Sequence, residues 1–198
     1  MDWNNVFNKL NFKRAKIYTQ LLRKSFSSCG EKTIIFFPNR FINPQCMNVG
    51  KNVILYANSW YNIITELNGK EYSATISIGD GSVLTSYIQV SIAKKLVIGT
   101  NCAIGQCTTI VDHLHSYEYI GEPIVYSPIT DPKSIIIEDD SFVGTNCVLS
   151  PGVHIGRHVF VGAGSVVSGR IPDFTMIAGN PAKVIRRYNE KTKVWERV

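Results

Sequence analysis

The chain has 198 residues, of which 44% are hydrophobic and 18% are charged, and this composition is typical of one soluble globular domain. No apolar run approaches the roughly 18 residues of a membrane span. The N-terminus lacks the uninterrupted apolar core and the cleavage site of a secretory signal, so we expect a cytoplasmic protein. Five cysteines without a Cys-x-x-Cys pair favour buried reduced thiols over disulfides or a metal site.

The first 30 residues form the first predicted unit, because their apolar residues recur at helical spacing over residues 3–22. Residues 1–32 hold seven basic and two acidic residues, and residues 183–198 hold six basic and two acidic residues. Basic ends attract nucleic acid, a membrane surface or phosphorylated small molecules. No nucleic-acid-binding motif is present, which favours a polyanionic small molecule. Peripheral membrane contact through the N-terminal segment stays open, and a solvated helix face explains its lysines equally well.

Residues 31–180 contain a period of six, clearest from Ile137 to Val166. An aliphatic residue returns at every sixth position, and a small or β-branched residue lies four places later. A period of six fits neither a helix nor an alternating strand, but it is typical of a parallel β-helix. Related sextets begin at Val49, Ile78 and Ile98. We therefore predict an all-β solenoid whose recurring aliphatic side chains form one interior column, followed by a C-terminal cap over 181–198.

Interruptions of a solenoid form loops that often carry its function. The longest interruption, residues 112–134, opens with Asp112, His113 and His115. Histidine is the usual general base near neutral pH, and a carboxylate can fix its tautomer. From the residues alone, catalysis and a local hydrogen bond are equally good explanations of this pair. His154 and His158 fall inside sextets, where exposed polar residues are expected.

Three features together resemble the hexapeptide-repeat acetyltransferases: the sextets, the segment Asp112–Tyr117 and the ending Ile177–Ile185. The pattern is most similar to the branch with maltose and galactoside acetyltransferases and bacterial surface-polysaccharide O-acetyltransferases, and it covers residues 42–198. The resemblance implies a homotrimer of left-handed β-helices that binds acetyl-CoA between two subunits. One histidine then acts as general base on a sugar hydroxyl, and no metal is expected.

The resemblance also assigns roles to single residues. Counting eleven residues from Ile104 reaches His115 as the base, and His113 is the alternative because loops slip. The remaining roles concern acetyl-CoA: a backbone amide facing the thioester, a segment facing pantetheine, and cations near the phosphates. These correspond to Thr145, to Ala163 and Gly164, and to Lys183 and Arg186, and Arg170 is a further candidate for cofactor binding.

This sequence departs from the family pattern at three places. Phe142 occupies a position that is commonly tryptophan, which implies a differently shaped pantetheine wall. A lysine of the family aligns with Gly169, so that Arg170 would replace it. The acceptor-binding position falls near Thr85 and Ser86, and neither matches the family residue.

The sequence leaves three functions open. The first is O-acetylation of a sugar, in surface-polysaccharide biosynthesis, by direct transfer without a covalent acyl-enzyme. Transfer to a sugar amine is a variant of the first, since an ammonium must also lose a proton before it attacks. The second is a zinc lyase like the γ-class carbonic anhydrases, which needs three histidines across a subunit interface. The third is a non-catalytic coil that serves as a scaffold, which would need neither the histidine-containing loop nor the basic tail.

Overall fold

A computed structural model describes residues 3–118, 120–121 and 123–198, with side chains from residue 8 onward. In this described part of the chain, no helix is long and apolar enough to cross a membrane. The predicted apolar positions Trp3, Val6 and Phe7 lie outside the described side chains.

The N-terminal segment is a single helix, α1 (Trp3–Leu22), followed by a 3₁₀ turn at Arg23–Ser25. Helix α1 packs on the first turn of the solenoid through Ala15 and Thr19, which are buried. The Thr19 hydroxyl oxygen accepts a hydrogen bond of 2.7 Å from the amide of Ile35 and donates one of 2.7 Å to the carbonyl of Ala15. These bonds fix the rotation of α1 about its own axis.

Short strands build three parallel sheets, which we name A, B and C. Sheet A contains β1 (Ser28–Cys29), β4 (Met47–Val49), β9 (Thr75–Ile78), β12 (Lys95–Ile98), β15 (Ile135–Ile137), β18 (His154–Ile155) and β21 (Arg170–Ile171). Sheet B contains β2 (Ile34–Ile35), β5 (Ile54–Leu55), β10 (Val83–Leu84), β13 (Ala103–Ile104), β16 (Phe142–Val143), β19 (Phe160–Val161) and β22 (Thr175–Gly179). Sheet C contains β3 (Arg40–Ile42), β6 (Trp60–Ile63), β11 (Gln89–Ile92), β14 (Thr109–Val111), β17 (Val148–Leu149) and β20 (Val166–Val167).

The chain visits sheets A, B and C in turn, and each strand pairs in parallel with its counterpart one coil later. The predicted parallel β-helix is therefore confirmed. Its interior column is also as predicted, since the recurring aliphatic residues are buried in all three sheets, as at Ile137, Val143 and Leu149. The small positions Ser141, Cys147, Val153, Val159 and Ser165 are buried as well. Each buried aliphatic side chain contributes roughly 1.5–3 kcal/mol to folding.

Two interruptions and a C-terminal extension complete the fold. An antiparallel hairpin of β7 (Glu66–Leu67) and β8 (Lys70–Glu71) lies between β6 and β9. The longer interruption joins β14 to β15 and includes a 3₁₀ turn at Ile124–Tyr126. After the last coil, β23 (Ala182–Asn189) and β24 (Val194–Arg197) add to the edge of sheet B in antiparallel orientation.

Candidate active site

The residues predicted to act in catalysis lie at two different corners of the triangular coil. We call the turn from sheet B to sheet C the B–C corner, and the turn from sheet C to sheet A the C–A corner. Residues 112–134 leave the coil at a C–A corner, directly after β14. Thr145, Ala163 and Gly164 lie at B–C corners, before β17 and β20.

Asp112 is the buried anchor of the histidine segment. Its side chain is fully inaccessible, and its carboxylate accepts hydrogen bonds from the backbone amides of Ala93 at 2.9 Å and Lys94 at 2.7 Å. The same carboxylate lies 2.8 Å from Nδ1 of His113, whose side chain is 10% exposed. An ionised carboxylate only accepts hydrogen bonds, so Nδ1 of His113 carries the proton. In the neutral imidazole this contact selects the tautomer whose Nε2 has a free lone pair, which is the form that a general base requires.

His115 lies in a different environment, two residues further along the same segment. Its backbone forms an isolated antiparallel bridge with Ile129, and its side chain is exposed. The flanking bonds from Ser116 to Pro128 at 2.8 Å and from Thr130 to Leu114 at 2.7 Å hold this part of the loop together. The structure therefore brings both histidines to the C–A corner but gives a carboxylate partner only to His113 among the described contacts.

The B–C corners present a row of backbone amides to the outside. The amides of Gln106, Thr145 and Ala163 have no hydrogen-bond acceptor within the described residues. Corners after sheet A differ, because the amide of Thr100 is bonded at 2.7 Å to the carboxylate of Asp139 from the next coil. This bond is the main cause that lowers the pKa of Asp139. Among the described residues no carboxylate occupies the equivalent position at the B–C corners, which leaves their amides available to a ligand.

Close packing of backbones fixes where these amides lie. Only glycine fits at positions 144 and 105 without a shift of the backbone. A Cβ atom on Gly144 would lie 2.6 Å from the amide nitrogen of Ala163, and one on Gly105 would lie 2.5 Å from the amide nitrogen of Thr145. Neighbouring corners are also joined by the amide of Gly164, which donates to the carbonyl of Thr145 at 2.8 Å. The structure thus brings Thr145, Ala163 and Gly164 together in one rigid stack.

The outer face of sheet B carries an apolar row beside these corners. The rings of Phe142 and Phe160 stack with centroids 4.9 Å apart and are each about two-fifths exposed. Phe160 is in register with Met176, and Met176 is in register with Arg186. Phe142, where the family commonly has tryptophan, is therefore one member of a two-ring surface.

The C-terminal strands extend this row with cations. A β-bulge leaves Ile185 unpaired, because Ile177 is opposite Val184 while Met176 is opposite Arg186. Lys183 lies opposite Ala178, so the bulge puts Lys183 and Arg186 on the same outer face. Arg186 is in turn opposite Arg197. Like charges directly opposite each other are unfavourable, and an anion bound between them would relieve the repulsion.

Arg170 lies elsewhere, at the start of β21 in sheet A. Its Nη1 donates to Nδ1 of His154 at 2.9 Å, and Nε2 of His154 lies 2.5 Å from the carboxylate of Glu138. Within one chain the structure does not bring Arg170 to Thr145, so its cofactor role stays a prediction. Sequence reasoning missed this network, although Glu138, His154 and Arg170 follow one another at a constant spacing of 16 residues.

The remaining histidine, His158, lies outside this network. Its ring stacks on that of Trp195, with ring centroids 6.4 Å apart.

The buried cysteines lack the character of nucleophiles. Burial raises the pKa of the Cys102 and Cys147 thiols, and both sulfurs contact backbone carbonyls of the coil. A raised pKa lowers the thiolate fraction, which is the reactive species. Among the described residues, no group of three or more His, Cys, Asp or Glu side chains has a metal-binding arrangement.

Comparisons with known proteins match both the repeat region and most of the chain. A family profile described as bacterial transferase hexapeptide (six repeats) matches residues 134–169. WbbJ from Escherichia coli (strain K12), named for O-acetyl transfer in lipopolysaccharide biosynthesis, is 32% identical over 184 residues, covering 89% of this chain and 88% of that protein. This chain belongs to the hexapeptide-repeat acetyltransferase family.

Two solved acyltransferase structures have the same fold. A hexapeptide-repeat acetyltransferase from Vibrio cholerae, complexed with acetyl coenzyme A, is 25% identical with a TM-score of 0.64, covering 89% of this chain and 79% of that chain. AntD, an N-acyltransferase from Bacillus cereus in complex with dTDP and coenzyme A, is 20% identical with a TM-score of 0.70, covering 87% and 90% of the two chains. The parallel β-helix predicted from the sextets and the family indicated by the resemblance are confirmed.

Proposed function

We propose that this protein transfers an acetyl group from acetyl-CoA to a sugar hydroxyl, in the cytoplasm and in the biosynthesis of a surface polysaccharide. The observation that carries the proposal is the Asp112–His113 pair, which leaves one imidazole nitrogen free to act as base in a hexapeptide-repeat acetyltransferase. The 32% identity to WbbJ over nearly the whole chain supports O-acetylation and the polysaccharide role. The acetyl coenzyme A complex of the Vibrio cholerae relative supports the donor.

His113 performs the proton transfer in this mechanism. A sugar hydroxyl is a poor nucleophile until a base removes its proton during the attack on the acyl carbon. Acetyl-CoA, when bound, supplies the activated acyl carbon and a thiol leaving group. Nε2 of His113 takes the hydroxyl proton while the new C–O bond forms, and returns it to sulfur as the C–S bond breaks. The amide of Thr145 stabilises the negative charge that develops on the carbonyl oxygen.

The positions of the two corners support a site shared between subunits. His113 follows a sheet C strand, whereas Thr145 precedes one, so the two residues lie at opposite ends of the sheet C strands. One side of the coil is about six residues long, or roughly 15–20 Å. We therefore propose a homotrimer of left-handed coils in which His113 of one subunit faces the Thr145 corner of its neighbour.

The outer face of sheet B fits the donor. Phe142, Phe160 and Met176 offer apolar surface to the pantetheine arm, beside the open amides of Thr145 and Ala163. Gly164, which has no side chain, leaves space for this arm at the corner. Lys183 and Arg186 follow along the same face and match the phosphates of the nucleotide.

Neutralising these cations should weaken donor binding. We expect Lys183→Gln combined with Arg186→Gln to raise KM for acetyl-CoA with little change in kcat, because each lost charge-assisted bond costs about 1.5–3 kcal/mol. Initial rates over a range of donor concentrations measure the effect. The matched control is Lys191→Gln with Lys193→Gln, which removes the same charge near the end of the same hairpin. An equal loss with an acetyl-pantetheine donor that lacks the nucleotide would contradict contact with the phosphates.

Release of free thiol from acetyl-CoA in the presence of candidate acceptors tests the function itself. Nucleotide sugars, free sugars and lipid-linked oligosaccharides are the acceptors to screen, each beside a control whose hydroxyls are methylated. We expect turnover that methylation abolishes and a product acetyl group that mild alkali removes, as it removes an ester. An alkali-stable product formed only from amino sugars would establish N-acetylation instead. Zinc-dependent CO₂ hydration without acetyl transfer would overturn the proposal.

A further inference from the structure

Helix α1 carries apolar side chains on a face that the coil does not cover. Leu10, Ile17 and Leu21 are 46%, 64% and 76% exposed. They are seven and four residues apart, so they share one side of the helix, which we call the outer stripe. Ala15 and Thr19 point to the coil from the other side and are buried. Helix α1 is thus apolar on two opposite sides, and packing on its own chain explains only one of them.

The rotation of α1 is fixed, so the outer stripe cannot turn inward. Thr19 ties the helix to Ile35 of β2, and the hydroxyl of Tyr18 donates to the carbonyl of Asn39 at 3.3 Å. Both bonds come from the coil-facing half of the helix. The stripe is therefore presented to the surroundings by a rigid support.

The charges around the outer stripe have one sign. No acidic residue occurs between positions 3 and 30. Arg14 lies within the stripe, four residues after Leu10, and Lys13 flanks its other side. Lys9, Lys13 and Lys16 are exposed along one side of the stripe, and Lys24 is exposed in the 3₁₀ turn that follows α1. An apolar stripe bordered by cations is the arrangement of helices that lie in the interface of anionic bilayers.

A basic pocket adjoins the same helix. It has a volume of about 370 Å³ and lies between α1 and the first coil, where Lys16, Arg23 and Lys32 line it with Thr33. The guanidinium of Arg23 is held in place by the carbonyls of Cys29 at 3.2 Å and Gly30 at 3.3 Å. No carboxylate is among the lining residues, so the pocket favours an anion such as a lipid phosphate.

We propose that α1 docks this protein on an anionic membrane surface. The outer stripe enters the boundary between headgroups and acyl chains, and the surrounding cations and the basic pocket contact lipid phosphates. The apolar stripe distinguishes a bilayer from nucleic acid or a soluble polyanion, because only the bilayer offers apolar surface next to phosphate. This inference goes beyond the proposed function, since it concerns where the protein works, whichever acceptor it uses.

Co-sedimentation of the full-length protein with vesicles tests the proposal. We expect binding to vesicles of phosphatidylglycerol and phosphatidylethanolamine, and none to vesicles of phosphatidylcholine alone. Lys13→Gln with Arg14→Gln should lower the partition coefficient about fivefold for each charge. Leu10→Ser with Ile17→Ser and Leu21→Ser should lower it at least tenfold, given the apolar area withdrawn from the bilayer.

Matched variants on the C-terminal hairpin serve as controls. Val194→Ser with Val198→Ser removes exposed apolar side chains, and Lys191→Gln with Lys193→Gln removes exposed charge; neither pair should alter sedimentation. Equal binding to both kinds of vesicle, or to neither, would overturn the proposal. If the parent protein binds no vesicles and the triple serine variant changes its mass in light scattering, the stripe is a contact between copies of this chain instead. If the protein binds inorganic phosphate but no vesicles, the pocket is a site for a soluble anion, and membrane docking is also overturned.

Discussion

Replacing His113 by alanine should lower kcat by about 10²–10⁴-fold, the range for a lost general base, with KM for acetyl-CoA nearly unchanged. The expectation rests on the 2.8 Å contact between Nδ1 of His113 and the buried carboxylate of Asp112, which orients the ring and selects the neutral tautomer with Nε2 as the basic nitrogen. Steady-state rates with saturating donor and a chosen acceptor measure the effect.

His115→Ala is the matched control for this prediction, because it removes an imidazole from the same segment without removing a carboxylate contact. We expect a smaller loss for His115→Ala, seen mainly in KM for the acceptor. The reverse order of effects would move the base to His115, as counting from Ile104 predicts. Melting temperatures of both variants should stay close to that of the parent, since neither side chain belongs to the interior column.

Replacing Thr145 by proline should lower kcat by about 10²–10³-fold, because proline has no N–H to stabilise the developing oxyanion. The fold should tolerate the change. Pro151 already occupies the equivalent place at the following corner, and the residues after the two positions, Asn146 and Gly152, both have positive φ, 56° and 80°. Thr145→Val, which keeps the amide, is the control and should retain most of the activity. Equal rates for the proline and valine variants would remove the amide from the mechanism.

The same two variants also test the shared site. Chains with His113→Ala and chains with Thr145→Pro should each be nearly inactive alone, but a mixed trimer contains one interface where an intact histidine meets an intact amide. Co-expression or mixed refolding should therefore restore part of the activity, and light scattering should give the mass of a trimer. Absence of any recovery in verified mixed assemblies would place both groups within one chain.

The period of six predicted the coil because burial in a β-helix is decided locally: each sextet puts the same position inside. Cys147 and Val153 could be assigned to the interior from their place in the repeat alone. The choice between His113 and His115 could not be made this way, since the repeat stops at Ile110 and no period continues into the loop. The structure adds that Asp112 is buried and accepts hydrogen bonds from the amides of Ala93 and Lys94, and our proposal of His113 as the base rests on this buried partner.

Other features depend on strand pairings and contacts between coils that cannot be predicted from the sequence pattern. Lys183 and Arg186 are three residues apart, so regular alternation along β23 would put them on opposite faces; the bulge at Ile185 puts them on one. The contact between Arg170 and His154 depends on which residues become neighbours one coil apart. The outer stripe of α1 was visible as spacing, but its exposure depended on how Thr19 fixes the helix.

The row from Phe142 through Phe160, Met176 and Arg186 to Arg197 runs along the axis of the coil, one strand at a time. Strands are spaced about 4.8 Å apart, so the first and last members are about 19 Å apart. The strand spacing thus sets the distance between the aromatic surface at Phe142 and the cations at Arg186 and Arg197. If acetyl-CoA binds along this row as we propose, the protein selects a donor by its length as well as by its two ends, and that length is set by the number of strands between them.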